Sequence, residues 1–318
     1  MYLAHFGLAR RPFEMSPDPY FFFPTAPHQE ALAGLIYGIT ARKGFLVLTG
    51  EVGTGKSLLV RCLLDALDRR RVVCAYVFNS LLSPGEFLAY IAEDLGVAGG
   101  HGSKSELLLR LNRHLIENHR QGLTTVAVVD EAHLLGADVL EEIRLLTNLE
   151  TPEGKLLQIA LVGQPELDAA LETHELRQLK QRISLRLRLR GLRLSETFLY
   201  VRSRLAAAGA GSEEIFTPAA LWMLHSYSSG IPRLINTLAD NSLLAAYAAG
   251  KRGVTAELVE EAAADLRIRP AERARAAASA VTQSASERRP ATLSTASLET
   301  VPAAASAARN PFFPGADR

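Results

Sequence analysis

Phe45-Leu-Val-Leu-Thr49-Gly50-Glu-Val-Gly53-Thr54-Gly55-Lys56-Ser57 is a short apolar run that passes into G-x-x-x-x-G-K-S and then into a helical pattern. The spacing describes a phosphate cradle. Glycines let the backbone curl so that several N–H groups face the β- and γ-phosphates, Lys56 reaches the same oxygens as a point charge, and the Ser57 hydroxyl can hold Mg²⁺. The helix that follows turns its positive end toward the anion. Gly50, Glu51, Val52, Gly53, Thr54, Gly55, Lys56, Ser57 and Leu58 are therefore the expected binding residues, and ATP with Mg²⁺ the expected ligand.

Downstream, Val72–Phe78 is apolar without alternation, as expected of a strand buried on both faces. A helix is expected over 84–95, with Ser83 as N-cap and Glu86 three residues on, and another over 106–119. Then Thr124-Thr-Val-Ala-Val-Val129 delivers Asp130 and Glu131 at its C-terminal end. A buried strand ending in two carboxylates, downstream of a phosphate loop, is a Walker B arrangement. Asp130 would complete the Mg²⁺ shell with Ser57, and Glu131 would polarise the attacking water, because phosphoryl transfer to water needs positioned charge and an oriented nucleophile. A helix is expected over 137–149, then a buried strand over Leu156–Val162 ending in Gly163-Gln164-Pro165. Ligands of open α/β sheets bind at the carboxyl ends of the strands. Gln164 is thus a candidate contact for the γ-phosphate or the water, with a plain turn residue as the competing reading.

Composition sets bounds. At 318 residues, 48% hydrophobic and 22% charged, the chain can bury a substantial core, and a net charge of +1 gives no global attraction to nucleic acid or membrane. Cys62 and Cys74 form no metal-binding pattern and are expected to pack as small apolar residues in a reducing compartment. Arg10, Arg11 and Glu14 interrupt the first 24 residues and no uncharged apolar run approaches 18 residues, so neither export nor a membrane span is expected.

Residues 1–27 are rich in Phe and Pro and read as an irregular segment packing on the core, either as a clamp or as a wall of the adenine pocket. Residues 28–193 hold the α/β pattern. Within them 175–182 reads as a cation-rich helix, and Ile183–Arg190 alternates with period two, lining one face with Arg186, Arg188 and Arg190. A solvated face outweighs a nucleic-acid contact as the reading of that stripe. Residues 194–268 read as an all-helical lid with Ser195, Thr217 and Thr255 as N-caps, and Gly230-Ile-Pro-Arg233 aims an arginine from a helix start. Residues 269–318 collapse to Ala, Ser, Thr, Arg and Pro and are expected to form a disordered tail.

The order of parts resembles the AAA+ ATPases, and within them the ExeA/GspA type that includes the ATPase of mannose-sensitive pilus biogenesis. The matching stretches include Met1-Tyr-Leu-Ala-His-Phe-Gly7, Pro12-Phe13, Pro17-Asp18, His28, Asp130-Glu131-Ala132, Leu145-Leu-Thr-Asn-Leu149, Gly163-Gln-Pro-Glu-Leu167, Gln181-Arg-Ile183 and Gly230-Ile-Pro-Arg-Leu-Ile-Asn236. The resemblance implies a P-loop NTPase with a parallel sheet core and a helical lid, assembling as a homo-oligomeric ring or open ring. By position it makes Gln164 sensor 1, Arg233 the sensor 2 arginine and Arg182 the arginine finger, with Arg177 as competitor. It implies a cytoplasmic ATPase energising or assembling a type II secretion or type IV pilus-like machine, with a membrane-bound component of that machine as partner. The membrane-spanning segment and peptidoglycan-binding domain of full-length ExeA-type proteins find no match, so membrane contact is expected to come through that partner. His133 stands where the type often has Gln. A DNA-binding regulator of the transposition-helper kind is the alternative reading.

Overall fold

The apolar runs form one parallel sheet in the computed structural model, which describes residues 2–16, 18–78, 81–97, 103–212 and 214–270. Its strands are β1 (Phe45–Gly50), β2 (Val72–Val77), β3 (Thr124–Val129), β6 (Leu157–Gly163) and β7 (Ile183–Leu189), in the order β2-β3-β6-β1-β7. β1, β3 and β6 are buried along their whole length, which is why their sequences lack alternation. β7 alternates because it is an edge strand. A two-residue-arm hairpin, β4 (Glu150–Thr151) with β5 (Gly154–Lys155), precedes β6 and has no periodic signal to announce it.

Helices α2 (Ala26–Thr40), α3 (Lys56–Ala66), α4 (Pro84–Asp94), α5 (Lys104–Arg120), α6 (Ala137–Leu146), α7 (Pro165–Leu171) and α8 (Arg177–Lys180) accompany the sheet, after a single turn α1 (Tyr2–His5). Ser83 and Glu86 make a complete capping box at α4. A second box, Ser103 with Glu106, starts α5 earlier than periodicity alone suggests. The cation-rich helix expected over 175–182 shrinks to α8, and that expected over 137–149 ends at Leu146.

The remaining helices, α9 (Leu194–Ala207), α10 (Pro218–Ser228), α11 (Pro232–Ala248) and α12 (Ala256–Asp265), build a second apolar core. Thr217 caps α10 as expected, and Thr255 precedes α12 without a side-chain cap bond. Ser195 is not a cap. α9 begins at Leu194, and Glu196 turns back to accept from the Arg193 N–H at 2.7 Å while binding the Arg190 guanidinium at 2.8 and 3.0 Å. The N-terminal aromatics enter this second core: Phe6, Leu8, Phe13 and Phe21 are buried beside Tyr200, Val201 and Ile235. Arg204 fixes them there, donating to the Pro12 carbonyl and lying 4.7 Å over the Phe21 ring. The expected tail lies outside the described residues apart from 269 and 270. No helix among the described residues is long and apolar enough to cross a membrane.

Candidate functional site

β1 carries the chain to the C-terminal edge of the sheet, where the phosphate loop opens. Gly53 and Gly55 take φ of 80° and 100°, the left-handed region that penalises a side chain, and a β-carbon on Gly53 would stand 2.6 Å from Arg233 Cβ. Lys56 opens α3. Its Nζ donates to the carbonyls of Gly50 at 2.7 Å and Glu51 at 3.0 Å, so the loop is folded around its own cation. Burial lowers the Lys56 pKa, and Glu131, Asp130 and Glu51 oppose that fall. The Thr54 hydroxyl donates to the Glu51 carbonyl at 2.7 Å.

His28, on α2, holds the loop from behind. It is buried, with Nδ1 2.6 Å from the Thr25 hydroxyl and Nε2 3.0 Å from the Thr54 carbonyl. A hydroxyl donating to Nδ1 and an N–H donating to the carbonyl satisfy both nitrogens of the neutral ring. Nothing in the local spacing assigns His28 this role, because its partner lies across a helix and a strand. Burial holds its pKa below the ordinary histidine value of 6.5. The unfolded chain therefore takes up the proton first: its stabilising contribution is complete above 6.5 and declines as pH falls toward the folded value. His28→Ala is expected to cost about 1–3 kcal/mol, the usual penalty for orphaning a buried carbonyl, and to weaken nucleotide binding. Denaturant melts and titration with a fluorescent ATP analogue check this, and unchanged values in both would remove the strut.

β3 delivers Asp130, which is 5% exposed. Its Oδ1 accepts the Glu131 N–H at 2.9 Å and its Oδ2 accepts the Tyr76 hydroxyl at 3.2 Å. Burial and the Asp130 charge push the Tyr76 phenol up to about 12, which keeps it a donor. Glu131 sits at φ 50°, an unusual conformation for a side-chain-bearing residue, worth roughly 1–2 kcal/mol of strain. The His133 ring stands between the two expected catalytic groups: Nδ1 is 3.4 Å from Glu131 Oε2, and Nε2 is 2.8 Å from Gln164 Nε2. Gln164 itself is the N-cap of α7, just beyond β6.

Arg233 arrives from the second core. Its N–H donates to the Gly53 carbonyl at 3.2 Å, and the entry to α11 is fixed by Gly230 (φ 73°), where a β-carbon would meet the Leu192 carbonyl at 1.9 Å. One cavity is lined by Val52, Gly53, Gly55, Lys56, Ser57, Leu58, Glu131, Gln164 and Arg233, together with Ser16 and Asp18 of the N-terminal segment and Tyr200 and Asn236 of the helices. Both sides of that cavity were legible as separate motifs. Asn236 closes the stretch from Gly230 that carries the resemblance but is given no role in the cavity by it, and the contribution of Tyr200 had no sequence signal.

Arg182 is not brought to this cavity. Its Nη1 donates to the Thr147 hydroxyl at 2.9 Å, and it shares an open groove with Arg177, Gln178 and Gln181. The arginine stripe of β7 is largely neutralised. Arg186 lies 3.3 Å from both Asp168 and Glu172, and Arg190 pairs with Glu196, which leaves Arg188 exposed.

A family model described as an AAA domain matches residues 39–171. General secretion pathway protein A of Aeromonas hydrophila is 46% identical over 255 residues, covering 80% of this chain and 46% of that protein, so the chain spans about half the length of this relative. Among solved structures, Cdc6p from Pyrobaculum aerophilum aligns with a TM-score of 0.63 at 21% identity, over 81% of this chain and 71% of that one. The Aeropyrum pernix ORC2 protein aligns with a TM-score of 0.58 at 18% identity, over 80% and 71%. The Thermotoga maritima RuvB Holliday junction branch migration motor aligns with a TM-score of 0.51 at 16% identity, over 77% and 70%. At these identities the structural likeness speaks to the fold alone.

Proposed function

Because the chain carries an AAA+ ATPase core of the ExeA/GspA type, we propose that it hydrolyses ATP, with Mg²⁺, to energise or assemble a type II secretion or type IV pilus-like envelope machine. The observation that carries the hydrolytic part is the meeting of Lys56, Glu131, Gln164 and Arg233 around one cavity. In this reading 28–193 is the catalytic domain and 194–268 its lid. The phosphate loop from Gly50 to Leu58 binds the triphosphate, Arg233 reports its presence to the lid, Glu131 polarises the water and Gln164 aligns it against the γ-phosphoryl group. Ser57 and Asp130 would hold the metal. A hydroxyl and a carboxylate are hard oxygen donors suited to Mg²⁺, which when bound neutralises charge on the β- and γ-oxygens. Asp130 already has its orientation set by the Tyr76 hydroxyl and the Glu131 N–H.

The protein would act as a homo-oligomer on the cytoplasmic side of the inner membrane, held there by a membrane-bound component of the machine. The resemblance to a secretion-pathway protein supports that assignment. The DNA-regulator alternative is disfavoured because Arg186 and Arg190 are committed to carboxylates of their own chain.

Phosphate release from ATP by the purified protein, with and without duplex DNA at physiological salt, tests both halves. Hydrolysis unaffected by DNA is expected, with any low-salt binding disappearing steeply as salt rises. No phosphate release would end the enzymatic reading, and stimulation by DNA at physiological salt would revive the regulator.

A further inference from the structure

The His133 ring makes contacts that the division of labour above leaves unused. It is enclosed, its side chain only 10% exposed, and its two nitrogens face the two groups that must meet the attacking water. On one side Nε2 lies 2.8 Å from the Gln164 amide nitrogen. On the other, Nδ1 lies 3.4 Å from Glu131 Oε2, and the Gln164 backbone N–H approaches the same nitrogen at 3.5 Å. Glu131 Oε2 is buried and, among the described residues, has no hydrogen-bond partner, so a small rotation would close the gap to the ring into a bond. With the proton on Nδ1, Nε2 accepts a Gln164 amide N–H and the Nδ1–H faces the Glu131 carboxylate, so the neutral ring links Gln164 at one end to Glu131 at the other. Two further constraints limit the freedom of these groups. Glu131 is held at positive φ, and Gln164 is fixed as the N-cap residue ahead of Pro165. A shift of the Gln164 amide must therefore be felt by the ring and passed to the carboxylate.

We propose that His133 is a positioning residue that couples the γ-phosphate-facing amide of Gln164 to the water-polarising carboxylate of Glu131. Among the described residues the Gln164 side chain has no other hydrogen-bond partner, so one amide N–H engages the ring and the other is left for a γ-phosphoryl oxygen. A triphosphate pulls on that amide and the ring carries the displacement to Glu131. A diphosphate leaves the chain of contacts untouched. The inference rests on the hydrolytic reading for its purpose and on the geometry alone for its existence.

Two measurements separate these. In the 318-residue chain labelled with ¹⁵N-histidine, with the His133 signal assigned by its loss in His133→Gln, the ring resonances should shift on adding Mg²⁺ with a non-hydrolysable ATP analogue but not with ADP. Gln164→Ala should abolish the response. This readout needs no turnover, so a wild type that hydrolyses nothing would end the enzymatic reading while the coupling is still judged.

In steady-state assays His133→Ala should lower kcat about 10²-fold, the scale of a misplaced catalytic group, with KM for ATP within about twofold. Adding Gln164→Ala should cost little more than the worse single variant, because both break one chain. His133→Gln, whose amide can also bridge two polar groups, should recover most of kcat, which a generic packing defect would not predict. An equal response to ADP and the ATP analogue, a response surviving in Gln164→Ala, multiplicative losses in the double variant, or an undiminished kcat in His133→Ala would each overturn the coupling.

Discussion

Lys56→Ala is expected to lose nucleotide binding, whereas Glu131→Gln is expected to bind ATP with near wild-type affinity and turn it over about 10²–10⁴ times more slowly, the usual contribution of a positioned general base. The two outcomes differ because the two groups sit differently. Lys56 is buried, and its ammonium is held by the carbonyls of Gly50 and Glu51. Truncation removes both the charge meant for the phosphates and the pin that shapes the loop. Glu131 is reached by no loop atom in this way. Its side chain is 44% exposed and stands beside His133 at the mouth of the same cavity, so exchanging its charge for an amide leaves the cradle standing. Calorimetric binding and phosphate release measured on both variants check the division. Equal hydrolysis by wild type and Glu131→Gln would remove Glu131 from the chemistry.

Mixing Arg182→Ala subunits with Lys56→Ala subunits is expected to restore hydrolysis that neither shows alone. Ile183, the next residue, pairs with Phe45 at the first position of β1, while the phosphate loop leaves from the last, Gly50. At about 3.3 Å per residue the two ends are on the order of 17 Å apart, farther than an arginine can reach, and the guanidinium is turned to Thr147. It can serve a phosphoryl group only on another subunit. An arginine supplied in this way is worth about 10³–10⁵ in rate in phosphoryl-transfer enzymes that use one. In the mixture, a subunit with an intact loop receives the finger of a neighbour whose own loop is disabled. Wild-type specific activity should also rise with protein concentration until assembly saturates. Full activity of Arg182→Ala alone would exclude it and leave Arg177, its neighbour in the groove, or no finger at all.

The architecture was legible where one physical signal dominated. Continuous apolar runs point to strands buried on both faces, and β1, β3 and β6 are, whereas β2, whose run over 72–78 reads the same way, lies at the sheet edge only half buried. The glycine spacing of the phosphate loop has one geometric meaning, and Gly53 and Gly55 adopt it. What escaped was set by contacts between distant segments. His28 reaches Thr54, Tyr76 reaches Asp130, and the N-terminal aromatics find the helical core. Each depends on how elements pack, which period and composition do not encode. Ser195 failed as a cap for a local reason: Glu196 is drawn to Arg190 and to the Arg193 N–H, which moves the start of α9 upstream. The edge-strand arginines were read correctly as alternating, but their carboxylate partners on α7, beyond it at Glu172, and on α9 could not be seen along the chain.

The C-terminal helices meet the phosphate loop through a main-chain bond, the Arg233 N–H on the Gly53 carbonyl, and the entry to α11 is tied in turn to the segment before α9 by the Leu192 N–H on the Gly230 carbonyl at 2.7 Å. Such ties are invisible to side-chain truncation. Every residue type except proline supplies the same donor, so a library that trims side chains one by one would report the junction as silent, and Arg233→Ala would delete the guanidinium while leaving the hinge wired. Only changes to the backbone itself can cut it: a proline at 233, which removes the donor, or any β-carbon at Gly230, which the Leu192 carbonyl does not admit. A β-carbon at Gly230 thus disturbs the junction without touching a charged or nucleotide-facing group, whereas a proline at 233 also deletes the guanidinium, so the Gly230 change is the one that lets the mechanical link between nucleotide and helices be studied apart from the chemistry.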